Sequence, residues 1–246
     1  MITPQIKVLP DANAIAIEAA ERIIAASKNA IELFDEFSLV LSGGSTPKML
    51  YELLASDEYR ERIEWAKVRI FFGDERCVPP DHPDSNYRMA RIALLSEVPI
   101  PGDNIYRMRG EIDPEAAAIE YGKMLKEKFA DAGPDLVLLG MGEDGHTASL
   151  FPQTTALKET SHRCVSNYVD KLGTWRMTLT APFINRADEV LVLVSGAAKA
   201  SKLTEVLEGP REPERLPIQL IEPASGKMTW LIDIAAAGMS TDGDEG

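Results

Sequence analysis

The chain reads as an α/β protein, a three-layer α/β/α sandwich built on a doubly wound, mostly parallel sheet of the Rossmann-like kind. Three observations predict this. Short apolar runs alternate with longer stretches of helical spacing along nearly the whole chain. The runs Leu136-Val-Leu-Leu139 and Val190-Leu-Val-Leu-Val194 are apolar at every position, as strands covered on both faces require. Glycine-rich or charged segments stand directly behind these runs, where open α/β sheets bind their ligands.

In order along the chain, Ile6–Leu9 is expected as a first short strand. Asp11 suits the N-cap of a helix over Ala12–Phe34, with Ile15, Ala19, Ile23, Ile24, Ile31 and Phe34 at helical spacing. A strand at Phe37–Leu41 ends in Ser42-Gly43-Gly44, and a helix is expected from Pro47, since proline suits the first helical turn. Val68–Phe72 is a strand and Ser85–Leu95 a helix. Pro114–Phe129 is a longer helix and Asp135–Leu139 a strand. Arg163–Ser166 and Arg176–Thr180 read as strands separated by a glycine-containing excursion. The strand Glu189–Val194, the helix Ala197–Leu207 and the strand Met228–Ile232 complete the order.

The totals set limits on function. The 246 residues, 45% apolar and 26% charged, fit one large α/β unit over 1–238 followed by a short acidic tail over 239–246. The N-terminus lacks the basic stretch and apolar region of a secretory leader, and no apolar run approaches the roughly 18 residues that span a bilayer. The cysteines Cys77 and Cys164 are too few and too far apart for a disulfide framework, so a cytosolic setting is expected. A net charge of −13 argues against nucleic acid, and any anionic ligand would have to be drawn in by local cations or backbone amides. No metal site is expected: the histidines His82, His146 and His162 form no His-x-x-x-His pair, and there is no Cys-x-x-Cys. Oligomeric state is left open between a monomer and a small homo-oligomer.

The chemistry concentrates behind the strands. Ser42-Gly-Gly-Ser-Thr-Pro47 offers close backbone approach at Gly43 and Gly44, small hydroxyls at Ser45 and Thr46, and the free N–H groups of the following helix. These suit a phosphate, although a plain strand–helix turn would use the same residues. The Gly-Lys-Ser/Thr ending of a triphosphate loop is missing. Behind Val68–Phe72 stands Gly73-Asp74-Glu75-Arg76, whose charges are costly to bury unless paired or used; an ion pair of Arg76 with a neighbouring carboxylate is the structural alternative.

Behind Asp135–Leu139 comes Gly140-Met-Gly-Glu-Asp-Gly-His-Thr-Ala-Ser-Leu-Phe-Pro152. It contains Gly-x-Gly-x-x-Gly, but Glu143 and Asp144 inside the loop repel a pyrophosphate, and Pro152 stops the following helix within about two turns. His146 beside Asp144 is the better reading. A histidine takes a proton from water near neutral pH, and a nearby carboxylate fixes its tautomer. Arg176 and Lys199, each beside a strand, are candidate phosphate cations; a strand-end ion pair and surface solvation are their respective structural alternatives. No Gly-x-Ser-x-Gly elbow surrounds Ser42 or Ser45, which disfavours a serine hydrolase.

Four segments together carry a resemblance: Leu41–Pro47, Phe72–Pro80 with Asp84-Ser-Asn-Tyr87, Gly140–Pro152, and Arg176-Met-Thr-Leu-Thr180. They look like the landmark segments of the 6-phosphogluconolactonases, in that family's order and across nearly the whole chain before the tail. The resemblance implies a sugar-phosphate lactone, 6-phospho-D-glucono-1,5-lactone, as substrate, with no metal or organic cofactor. It implies His146 as general base, with Gly43, Gly44, Ser45, Thr46, Arg176 and Lys199 around the phosphate. Asp74 and Arg76 would contact the sugar acid or organise the site. The related glucosamine-6-phosphate deaminases share the glycine loop, the strand-end aspartate and Asp-Gly-His, but typically carry a glutamate shortly afterwards, where this chain has Leu150-Phe151-Pro152. A third possibility is a sensor that binds a sugar phosphate without turning it over.

Overall fold

A computed structural model of the chain describes residues 4–224 and 226–239. Apart from Met239, the expected acidic tail lies outside the described residues. The elements begin with β1 (Gln5–Leu9), α1 (Ala12–Phe34), β2 (Phe37–Leu41), α2 (Ser45–Ala55), β3 (Val68–Phe72) and β4 (Asp74–Arg76). They continue with α3 (Asn86–Ala90), α4 (Pro114–Phe129), β5 (Leu136–Gly140), β6 (Cys164–Val169) and β7 (Thr174–Leu179). The last are α5 (Ala181–Ile184), β8 (Glu189–Val194), α6 (Ala200–Glu208) and β9 (Lys227–Asp233).

Six strands form one parallel sheet in the order β1-β9-β8-β5-β2-β3. The chain leaves β2 toward β3 on one side and takes up β5 on the other, so a topological switch lies between β2 and β5. The fully apolar runs are fully buried, as their composition requires: β2 is buried at every position and β5 everywhere except Gly140. Asp11 caps α1 as expected, accepting from the Ala14 N–H at 2.8 Å. Asp113 does the same for α4, with Pro114 in its first turn.

The structure departs from the sequence reading in several places. Asp74–Arg76, for which no strand was expected, is a short strand that pairs antiparallel with β7, which also pairs with β6, to make a separate three-stranded sheet. Sequence periodicity carries no information on which strand a partner will be, so this second sheet was not legible. The helix expected over Ser85–Leu95 is a short α3 continued by a π turn at Arg91–Leu95. α2 begins at Ser45 rather than at Pro47, which places both hydroxyls in its first turn. Lys199 ends a 3-10 turn that precedes α6. No helix follows His146: Thr147 and Leu150 form an isolated bridge instead.

Gly73 joins the two sheets. Its N–H donates to the Leu41 carbonyl at 2.9 Å and its own carbonyl accepts from the Leu179 N–H at 2.8 Å. The outer edge of β3 is closed by side-chain and loop groups, which protects it from pairing with another chain. The Tyr106 N–H donates to the Ile70 carbonyl at 2.9 Å, and the buried Tyr121 hydroxyl accepts from the Phe72 N–H at 2.9 Å. The Tyr121 proton faces the carbonyls of Tyr106 and Phe72 at 3.2 and 3.3 Å. Phe71 meanwhile packs against Phe129 of α4, with ring centroids 4.8 Å apart.

Tyr121→Phe leaves the Phe72 N–H buried without a partner. The expected loss is about 1–3 kcal/mol of unfolding free energy in urea titration; an unchanged midpoint and slope would remove this edge from the account of stability.

Candidate active site

The carboxyl ends of β2, β5 and β8 open into a cavity of about 430 Å³, with β4 and β7 forming another wall. Its lining includes every candidate catalytic or binding residue read from the sequence except Asp144: Gly43, Gly44, Ser45, Thr46, Asp74, Arg76, His146, Arg176 and Lys199. Asp144 stands directly behind His146.

On the β2 side, the loop is pinned by Tyr51, whose hydroxyl accepts from the Ser42 N–H at 3.0 Å and donates to the Ser42 carbonyl at 2.8 Å. The two glycines are required for different reasons. A Cβ on Gly43 would stand 2.1 Å from Asn86 Oδ1, whereas Gly44 has φ +110°, a conformation side chains rarely adopt. Gly44 caps α2 without a side-chain hydrogen bond, so no capping side chain answers the N–H groups of Ser45 and Thr46, which line the cavity. The Ser42 hydroxyl is buried with no hydrogen-bond partner among the described residues.

On β4 the two acidic side chains take different tasks. Asp74 is buried and both its oxygens are occupied, Oδ1 by Asn86 Nδ2 at 3.1 Å and Oδ2 by the Ser149 hydroxyl at 2.6 Å. Glu75 accepts from the N–H groups of Arg76, Asn86 and Tyr87 and from the Ser85 hydroxyl, at 2.7–2.9 Å. Burial pushes its carboxyl up, and these donors offset that only in part. The side-chain ion pair considered for Arg76 does not form; its guanidinium donates to the Asp84 carbonyl at 2.5 Å.

Arg76 and Arg176 are direct cross-strand partners in the β4–β7 pair. Neither has a carboxylate within ion-pair distance among the described residues, so the strand-end ion pair considered for Arg176 is absent as well. Burial, followed by repulsion from Arg76, lowers the Arg176 pKa. Like charges placed together in a half-buried wall are unfavourable unless an anion answers them. Lys199 reaches the cavity from the other side, its side chain 24% exposed and its ammonium 3.8 Å from Glu143. Its loop is fixed by Asp233, which accepts from the Ser195 hydroxyl and the Gly196 N–H.

The histidine is held tightly. His146 Nδ1 lies 2.5 Å from Asp144 Oδ1. The second Asp144 oxygen takes the Lys171 ammonium. Burial raises the Asp144 pKa, but the bonds from His146 and Lys171 outweigh it and hold the carboxyl well below the usual range. The Phe151 ring stacks on the imidazole, with centroids 4.0 Å apart and 23° between planes. Gly142 makes room: a Cβ there would stand 2.0 Å from His146 Nδ1.

Asn86, Ser149, Phe151 and Lys171 took no role in the sequence reading. Asn86, Ser149 and Phe151 stood inside quoted motifs, but what each one touches is decided by loops folded back on one another. Lys171 sits in the excursion between β6 and β7, where nothing local marks it.

A strand-end glycine loop, a histidine–carboxylate pair and a wall of cations around one cavity fit an enzyme of the α/β class that acts on a sugar phosphate. Residues 10–230 match the family model of glucosamine-6-phosphate isomerases/6-phosphogluconolactonase, and the chain belongs to that family. It is similar to the 6-phosphogluconolactonase of Nostoc sp., 40% identical over 94% of this chain and 96% of that protein. The solved 6-phosphogluconolactonase from Trypanosoma cruzi is 29% identical, with a TM-score of 0.85 over 98% of both chains. A monomeric glucosamine-6-phosphate deaminase shares the fold at a TM-score of 0.80, 23% identical over 96% of this chain and all of that one.

The Asp144 bond implies that His146 carries its neutral-state proton on Nδ1. A ¹⁵N spectrum of the ring should show that tautomer, and Gly142→Ala should shift it toward the ordinary mixture while costing about 1–3 kcal/mol in stability. A variant ring indistinguishable from the wild type would contradict the geometry.

Proposed function

We propose that the chain is a 6-phosphogluconolactonase, hydrolysing 6-phospho-D-glucono-1,5-lactone to 6-phosphogluconate in the oxidative pentose phosphate pathway, in the cytosol and without a metal or organic cofactor. The observation that carries this reading over a deaminase is the ring of Phe151 on the face of His146. The deaminases typically carry a glutamate shortly after their Asp-Gly-His, whereas here, among the described residues, the imidazole has one acid–base partner, Asp144. One base suffices for a lactone, whose carbonyl already reacts with water; ring opening of an amino sugar needs a further proton relay.

The phosphate is held by the first-turn N–H groups and hydroxyls of Ser45 and Thr46, by Gly43 and Gly44, and by Arg176 and Lys199. Arg76 lies beside Arg176 and answers the acid end of the sugar. Asp74, with both oxygens already bonded to neutral donors, is a positioning residue that fixes Asn86 and Ser149. His146, its Nδ1 committed to Asp144, takes a proton from water at Nε2 as the water oxygen bonds to the lactone carbonyl carbon. The tetrahedral adduct then collapses, the bond from that carbon to the ring oxygen breaks, and the ring oxygen takes up a proton. Phosphate binding energy is realised away from the reacting carbonyl and serves to orient it.

The test is hydrolysis of freshly generated lactone beside a glucosamine-6-phosphate deamination assay, with chelator present throughout. Hydrolysis well above the spontaneous rate without deamination is expected, and deamination in place of hydrolysis would overturn the reading. His146→Ala should lower kcat by about 10²–10⁴ with little change in product affinity; full activity would remove it from the mechanism. Arg176→Ala should weaken the phosphorylated lactone far more than an unphosphorylated one, and equal losses would reassign that residue. Because Asp144 stays ionised well below the range in which histidine titrates, the acid limb of kcat/KM should follow a single proton. A two-proton limb would place a second titrating group in the mechanism.

A further inference from the structure

Lys171 has no part in the mechanism above, yet it completes a closed circuit around the base. Its ammonium bonds the Asp144 oxygen that His146 leaves free and lies 5.2 Å from the centroid of the Phe151 ring. Phe151 stacks in turn on His146, so each of the four side chains touches two others. The lysine comes from the turn Asp170–Leu172, which Gly173 closes at φ 60°. The hairpin beneath it is braced by Tyr168 and Trp175, directly opposed across β6 and β7, with rings 5.3 Å apart.

An ion pair with a side chain 54% exposed contributes little to folding, so stability does not account for this placement. Its electrostatic consequence is specific. A carboxylate bonded to an imidazole stabilises the protonated ring, which is useless as a base at neutral pH. A second cation on the same carboxylate opposes that protonation while keeping the carboxylate ionised and fixed in one rotamer.

We propose that Lys171 is a positioning residue that holds Asp144 and keeps His146 unprotonated, and therefore able to act as a base, at neutral pH. The other charges around the cavity are Asp74 and Arg76 on β4, Arg176 on β7, Lys199 before α6, and Glu143, which lies near Lys199. All of these remain in place when Lys171 alone is changed. The proposal rests on the base role assigned to His146, and the two can be tested separately.

Lys171→Met removes the charge and keeps the length; Lys171→Arg keeps the charge. The imidazole pKa of His146 would be followed by NMR in the unliganded protein, beside the pH profile of kcat/KM for the lactone. The expected result for Lys171→Met is a rise of about one unit in both the ring pKa and the acid limb. That corresponds to a loss of about tenfold on the acid side, fading as pH rises, with Lys171→Arg close to wild type. An unmoved ring pKa, with any loss of rate equal at all pH values, would overturn the proposal and leave Lys171 as a substrate contact or a structural residue. A ring pKa that rises while the acid limb stays in place would uphold the effect of Lys171 on His146 and overturn the base assignment instead.

Discussion

Two adjacent carboxylates buried where the parallel and antiparallel sheets meet constrain everything around them. Asp74 and Glu75 are each less than a tenth exposed, and neither meets a cation at ion-pair distance among the described residues. Charges so placed are tolerated only if hydrogen-bonded in full. Apart from the neighbouring Arg76 N–H, the donors come from later segments: Ser85, Asn86 and Tyr87 for Glu75, and Asn86 and Ser149 for Asp74. Asn86 serves both, through its backbone and its side chain. Satisfying these groups therefore draws the loop before α3, the loop after β5 and the end of β3 into a single arrangement. Gly43 has no Cβ because Asn86 occupies that space.

That arrangement explains how a chain of net charge −13 presents a cationic cavity. The acidic residues at the site are consumed internally, Asp74 and Glu75 by neutral donors and Asp144 by His146 and Lys171. Arg76 and Arg176 are left without carboxylate partners among the described residues. Such local fields, set in a low-dielectric wall, outweigh the diffuse repulsion of distant surface charges.

The shared fold with a glucosamine-6-phosphate deaminase at 23% identity shows how little the scaffold itself says about the reaction. Here an aromatic ring covers one face of the His146 imidazole and a single carboxylate, itself held by a lysine, takes Nδ1.

The sequence by itself determined the layered α/β class, the chain order of the parallel strands with their bounds to within one residue, and most of the cavity lining. Fully apolar runs have to be buried on both faces, and ligands gather behind such strands. It also carried the capping of α1 by Asp11, a local matter settled within three residues. Only the tertiary structure decided that Asp74–Arg76 pairs with β7, that Glu75 anchors a loop rather than Arg76, and that Lys171 reaches Asp144 from another hairpin. Those outcomes depend on which distant donor fills a buried acceptor. Periodicity and spacing are local quantities, and hydrogen bonding between segments far apart in the chain leaves no mark on either.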